Sequence, residues 1–268
     1  MMPESMMRVP LYQIDAFTDR AFAGNPAAVM PLTDWLPDEL MQRIAAENNL
    51  AETAFFIPKG DQFHIRWFTP THEVDLCGHA TLATAHVITR LLQPGRERVE
   101  FDSRSGKLTV TQDGDKLQLD FPVLPVLPAN DRRDAIAGCF DHRPVEVHNN
   151  DSYMAYLAVF ESATVIRKLK PDFMALANLE KDVIVTARGD NVDFVSRFFA
   201  PNHGIPEDPV TGSAHCLLAP YWAGVLGKTR FHAKQVSPRG GDLWIELAGE
   251  RVRMSGYSVC VLTGTMTV

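Results

Sequence analysis

The sequence predicts an α+β protein of two pseudo-symmetric lobes, each a barrel-like mixed β-sheet wrapped around a central apolar α-helix. First, a strand-turn-helix segment occurs twice: Arg66-Trp67-Phe68-Thr69-Pro70 leads to Cys77-Gly78-His79-Ala80 and an apolar helix, and Arg197-Phe198-Phe199-Ala200-Pro201 leads to Thr211-Gly212-Ser213-Ala214 and another. Second, the match continues past the helices. Ser103-Arg104-Ser105-Gly106 corresponds to Ser237-Pro238-Arg239-Gly240 at the offset that separates Gly78 from Gly212, and alternating strand pairs follow over Leu108 to Phe121 and Leu243 to Met254. Third, Ala80 to Leu92 is small or apolar on nearly every side, and a helix apolar all round must be enclosed. In a chain of 268 residues the neighbouring strands supply that enclosure as a curved sheet. A protein folded this way is expected to place its active site in the cleft between the lobes.

Taken in order, Leu11 to Phe17 and Ala27 to Met30 read as short strands separated by a turn at Ala23-Gly24-Asn25-Pro26. Thr33 or Asp34 is placed to cap a helix from about Pro37 to Glu47, with Leu40, Met41, Ile44 and Ala45 on one face. Strands follow at Thr53 to Pro58 and at His64 to Thr69, where Pro70 stops the second. A polar loop of Thr71, His72, Glu73 and Asp75 then leads to Gly78 and the helix, on which His86, Thr89 and Arg90 offer the main polarity. Pro122-Val123-Leu124-Pro125-Val126-Leu127-Pro128 reads as a stiff linker that breaks strand pairing. It separates an N-terminal lobe of residues 8–123, carrying Glu52 and the Gly78-His79 helix start, from a C-terminal lobe of residues 129–268, carrying Asp208 and the Gly212-Ser213 helix start. In the second helix, Ala214 to Leu226, Pro220 is expected to kink or shorten the helix.

Composition limits the function classes. Hydrophobic residues make up 46% of the chain and charged residues 22%, which suits a packed globular protein. The formal net charge of −7 disfavours a general nucleic-acid surface, since phosphate binding depends on clustered Lys and Arg. Met1 to Val9 lacks the apolar core and cleavage site of a secretory signal, and no run is long and apolar enough to span a bilayer, so a cytoplasmic protein that does not enter membranes is expected. Cys77, Cys139, Cys216 and Cys260 form no CxxC pair, so neither a disulfide framework nor a zinc knuckle is indicated.

The chemistry concentrates at the two helix starts. Unpaired N–H groups and the helix dipole favour anions there, and glycine lets a ligand approach the backbone closely. Gly78-His79 and Gly212-Ser213 would suit a small acid, held at its carboxylate or stabilised as charge develops beside it. For either loop alone, a turn glycine with Ser213 or Asp208 as a helix cap is as good a reading; the duplication weighs toward a site. The halves differ where an acid and a base must differ. Asn49-Leu50-Ala51-Glu52-Thr53 has Asn178-Leu179-Glu180-Lys181-Asp182 as its rough counterpart, which leaves Glu52 without an equivalent carboxylate in strict register. Flanked by Leu50, Ala51, Ala54, Phe55 and Phe56, Glu52 is expected to be partly desolvated, which suits proton transfer.

Gly24-Asn25-Pro26, Asn49-Leu50-Ala51-Glu52-Thr53-Ala54-Phe55, Arg66-Trp67-Phe68-Thr69-Pro70, Leu76-Cys77-Gly78-His79-Ala80-Thr81 and Glu207-Asp208-Pro209-Val210-Thr211-Gly212-Ser213-Ala214 together resemble the phenazine biosynthesis PhzF-like proteins, which share the diaminopimelate epimerase fold. The match covers most of the chain. The resemblance implies Glu52 as the proton-transferring carboxylate, with His79, Asp208 and Ser213 lining the substrate site and backbone groups of Gly78 and Gly212 completing it. The best-understood relative isomerises a cyclic dihydro-hydroxyanthranilate by moving a proton across a conjugated system, without cofactor or metal. By resemblance the chain is expected to be a homodimeric isomerase acting on a small carboxylate-bearing molecule.

Two alternatives stand beside this reading. Related epimerases and racemases use one thiol from each lobe; Cys77 stands just before Gly78, but its counterpart is Thr211, and Cys216 falls inside the second helix. A non-catalytic ligand-binding protein of the same fold is the other. A metal is not expected: His72, Asp75 and His79 share a loop but match no common zinc spacing. The pairing of Cys77 with His79 as a hydrolase dyad is disfavoured by their nearness in the turn.

Overall fold

The structure, a computed structural model, describes residues 7–268. Residues 1–6, part of the stretch read for a targeting signal, lie outside the described residues. The fold is mixed α/β, rich in strands of both senses and sparing in helices. Among the described residues, 7–119 with 257–268 form one compact unit and 120–256 another. Among the described residues no helix is long and apolar enough to cross a membrane.

The first unit runs β1 (Arg8–Ala16), β2 (Asn25–Pro31), α1 (Asp38–Asn48), β3 (Glu52–Lys59), β4 (Gln62–Phe68), β5 (Glu73–Val74), α2 (Gly78–His86), β6 (Arg98–Ser103) and β7 (Gly106–Asp113) into β8 (Lys116–Pro122). β1 pairs antiparallel with β2, β2 parallel with β3, β3 antiparallel with β4, β4 parallel with β6, and β6, β7 and β8 in antiparallel succession. Burial alternates along β4, with Phe63, Ile65 and Trp67 inward, as one buried sheet face requires. Neither Thr33 nor Asp34 caps α1. Pro37 occupies that position and Asp34 instead accepts from the Trp35 N–H, while Met41, Ile44 and Ala45 are buried.

Every residue of α2 from His79 to His86 is buried, and the helix packs against β1, β2, β3, β7 and the final strand β18 (Ser258–Thr267). Its threonines tolerate this by returning their hydroxyls to the preceding turn: Thr81 to the Cys77 carbonyl at 2.5 Å and Thr84 to the Ala80 carbonyl at 2.7 Å. The expected single helix to Leu92 changes pitch, and Val87–Leu92 forms a π-helical turn.

The second unit runs β9 (Leu127–Pro128), α3 (Arg133–Ala137), β10 (Glu146–Asn150), β11 (Ala155–Val159), α4 (Ala163–Lys168), α5 (Phe173–Ala177), β12 (Asp182–Arg188), β13 (Phe194–Ala200), β14 (Ile205–Asp208), α6 (His215–Leu226), β15 (Arg230–Gln235), β16 (Gly241–Ala248) and β17 (Arg251–Gly256). Its pairings repeat those of the first unit: β10 antiparallel with β11, β11 parallel with β12, β12 antiparallel with β13, β13 parallel with β15, then β15, β16 and β17 antiparallel. All five residues of β11 and all seven of β13 are buried, the pattern of strands covered on both faces.

Three features differ from the sequence expectations. The proline-rich linker does not wholly break pairing, because Leu127 and Pro128 form β9 against Asn149 and His148; proline lacks a donor but keeps its carbonyl, and this suits a short edge strand. Pro220 does not end α6, since the helix runs on to Leu226. Pro220 leaves the Cys216 carbonyl without its intrahelical partner, and the Leu124 N–H takes that carbonyl at 3.0 Å. Finally, residues 257–268 belong to the first unit rather than to a lobe of 129–268, because β18 (Ser258–Thr267) pairs with β1 from Arg8 to Ala16.

Candidate functional site

In the first unit, Glu52 opens β3 opposite Ala27 of β2. The left-handed Asn49 (φ 48°) ends α1 and lets the chain turn into the strand. The Glu52 side chain is 12% exposed, and its Oε2 lies 3.2 Å from Nε2 of buried His79. Nδ1 of the same ring is 3.2 Å from the Asn25 amide nitrogen and 3.5 Å from the Cys77 sulfur. Burial pushes the His79 imidazole down to about 3, outweighing an opposing pull from the Pro26 carbonyl, so the ring is neutral. Asn25 owes its place to Gly24, whose φ is +65° and where a Cβ would lie 2.2 Å from the Ala16 carbonyl oxygen. Gly78 is the first residue of α2, and the extended Cys77 before it provides no side-chain cap.

Glu52, Cys77 and His79 bring one potential metal-ligand atom each within 4.8 Å. The imidazole is 3.5 Å from the thiol at Nδ1 and 3.2 Å from the carboxyl group at Nε2. The loop trio of His72, Asp75 and His79 has separate partners: His72 meets the Thr69 and Thr71 hydroxyls, and Asp75 lies 3.8 Å from Arg104.

In the second unit, Asp208 ends β14 and is buried. Its Oδ2 accepts the Thr211 hydroxyl at 2.5 Å. Gln235, fully buried on β15, clamps this turn by donating to the Asp208 carbonyl and accepting from the Thr211 N–H, both at 2.8 Å. Ser213 shares a 2.5 Å hydrogen bond with the hydroxyl of Tyr153, and burial pushes that phenol above its usual range despite the bond. Gly212 and Ser213 do not begin an α-helix. They form a preceding turn, with the His215 N–H on the Gly212 carbonyl, and α6 starts at His215. Neither Asp208 nor Ser213 caps it, since Ala214 occupies that position and makes no side-chain cap.

Repeated segments carry repeated ion pairs. Arg66 binds Glu73 through Nε and Nη2, both at 2.7 Å, and Arg197 binds Glu207 through the same atoms at 2.7 and 2.9 Å. The strand register corrects one expectation. Thr53 faces Phe68 and Val183 faces Phe199, so Thr53 corresponds to Val183 and Glu52 to Asp182, not to Lys181. Sequence reasoning also missed Tyr153 and Gln235. Gln235 lies just before the repeated Ser237-Pro238-Arg239-Gly240, a signal that could have drawn it in; Ser152-Tyr153-Met154 bears no likeness to Gly24-Asn25-Pro26.

The described fold recurs in a predicted epimerase from Pseudomonas aeruginosa, at a TM-score of 0.72 with 21% identity, over 97% of this chain and 99% of that one. The class that the fold defines is thus a mixed α/β one shared with that protein. The chain belongs to the phenazine biosynthesis-like (PhzC-PhzF) family, which it matches over residues 14–264. A crystal structure of a phenazine biosynthesis PhzF-family protein from Enterococcus faecalis superposes at a TM-score of 0.92 with 43% identity, covering 98% of this chain and all of that one. A second Pseudomonas aeruginosa protein, named an uncharacterized isomerase, is 50% identical over 259 residues, 96% of this chain and 98% of its own length.

Proposed function

We propose that the protein is a cofactor-independent isomerase that moves a proton within a small carboxylate-bearing substrate, with Glu52 as general acid and base. The observation that carries this is the sheltered Glu52 carboxyl group 3.2 Å from a neutral imidazole. An amide NH2 only donates, so with Asn25 donating to Nδ1, His79 carries its proton on Nε2, the nitrogen on the Glu52 side of the ring. Glu52 removes a proton from an acidic C–H, the charge delocalises over the substrate, and Glu52 returns the proton at another carbon. Asp208 and Ser213 orient amino, hydroxyl or carboxylate groups, and the backbone at Gly78 and Gly212 allows close approach. In this reading each unit is a lobe with its sheet wrapped about α2 or α6, the protein is a cytoplasmic homodimer, and the isomerase names of its relatives extend to it.

In heavy water, wild-type protein incubated with small amino and hydroxy acids is expected to exchange a substrate proton, followed by 1H NMR. Glu52→Gln should keep the fold and lose the exchange; an undiminished rate would exclude Glu52. The 3.5 Å approach of the Cys77 sulfur to His79 favours one second reading, a thiol-dependent epimerase. That reading requires exchange at a chiral α-carbon to disappear in Cys77→Ala and survive in Glu52→Gln.

A further inference from the structure

The strand register places a carboxylate in the second unit where Glu52 stands in the first. Ala27 faces Glu52 across the parallel pair β2 and β3, and Ala155 faces Asp182 across β11 and β12. The surroundings correspond as well. Asn25, two residues before Ala27, touches His79, which follows Gly78; Tyr153, two residues before Ala155, touches Ser213, which follows Gly212. One arrangement therefore appears twice with different chemistry: amide, imidazole and glutamate in one unit, phenol, hydroxyl and aspartate in the other.

We propose that Asp182 is a second acid/base group of this protein, built into the second unit together with Tyr153, Ser213 and Asp208. Only the identity of the molecule it acts on rests on the isomerase reading above.

The Asp182 side chain is 14% exposed. The titratable groups that bear on it are Asp208 of β14, Tyr153 from the turn before β11, and His203, whose Nε2 lies 3.5 Å from Oδ2. Its neighbour Lys181 is engaged elsewhere, donating to Asn149 at 2.7 Å and Asp151 at 2.6 Å. Burial, and then the like charge of Asp208, raise the Asp182 carboxyl to about 6 against the opposing effect of His203. The two aspartates thus differ in task. Asp208 accepts the Thr211 hydroxyl as a carboxylate would, and Asp182 takes up a proton already below about pH 6.

In the transfer step the Asp182 O–H bond breaks, the proton passes to a basic atom of the substrate, and the electron pair stays on the aspartate oxygen. Water restores the proton by way of His203, which is 59% exposed and bridges the carboxyl group to solvent. The reverse step is proton acceptance by the Asp182 carboxylate.

The test uses the full chain labelled with aspartate carrying 13C at the side-chain carboxyl carbon. The Asp182 resonance is identified by its loss in Asp182→Asn, or in Asp182→Glu where the amide variant does not fold. The expected result is a titration midpoint near 6 that moves down in Asp208→Asn. A midpoint below about 4.5, in the range of an ordinary carboxylate, or one indifferent to Asp208→Asn, overturns the proposal. For any acid that the wild type exchanges in heavy water, Asp182→Asn should slow exchange by about 100-fold, and an unchanged rate in the folded variant also overturns it. The Asp182 titration does not depend on Glu52. If Glu52→Gln leaves exchange intact, the isomerase mechanism fails while the outcome for Asp182 stands separately.

Discussion

Glu52 and His79 approach to 3.2 Å in surroundings that keep the imidazole uncharged, so the contact is one between a neutral ring and a carboxyl group rather than a salt bridge. Because the ring protonates only near 3, no loss of activity between pH 5 and 8 should trace to His79. Comparing the pH profile of exchange for wild type and His79→Gln checks this: both should share their midpoints in that range, although the variant is slower. Gly24 sets the position of Asn25, and it has no room to change. An alanine there would need a left-handed backbone and a Cβ 2.2 Å from the Ala16 carbonyl. Gly24→Ala should therefore cost about 2–4 kcal/mol by urea denaturation, well above the ordinary effect of this substitution.

At the scale of elements, the paired arginines show how the same motif acquires different weight. Arg197 donates to Glu207 and also to the carbonyls of Leu169 at 2.7 Å and Ile166 at 3.2 Å, tying α4 to β13. Arg66 makes the equivalent carboxylate pair, but its further partner is the exposed Asp38. Lysine cannot reproduce the guanidinium fork, and in the second unit it would also leave buried carbonyls unpaired. Arg197→Lys should destabilise by about 2–4 kcal/mol and Arg66→Lys by less, as measured by chemical denaturation of each variant. α6 depends similarly on a segment outside itself. The Leu124 N–H fills the gap that Pro220 opens at the Cys216 carbonyl, so Leu124→Pro should cost about 1–3 kcal/mol, read from the same measurement.

For the molecule as a whole, buried histidines set the response to acid. Burial lowers His79 to about 3 and His86 and His215 to about 4 from 6.5. Below 6.5 the unfolded chain takes up these protons and the folded protein does not, so stability is complete above that pH and declines as pH falls toward 4. Each group contributes at most about 1.4 kcal/mol per pH unit in this window. Asp182 acts in the opposite sense, because its raised carboxyl binds a proton in the folded state between about 6 and 3.8. Three groups against one predict a net fall in the urea midpoint from pH 7 to pH 5, shallower in His215→Gln. A flat profile would contradict the neutral, buried state of these rings.

The amino-acid sequence by itself determined the duplication, the enclosed character of Ala80 to His86 and the stop of β4 before Pro70, because residue type, apolar periodicity and repeated short segments all act over a few residues, while Glu52, His79, Asp208 and Ser213 were singled out together through the family resemblance. Only the tertiary structure decided that Asp182 and not Lys181 matches Glu52, that Tyr153 meets Ser213, that α6 begins at His215, and that residues 257–268 return to pair with β1. These outcomes depend on partners far apart in the chain. A slip of one residue between strands turns every side chain to the opposite face, so register is settled by burying the whole strand against its neighbours and not by the residues around any one position.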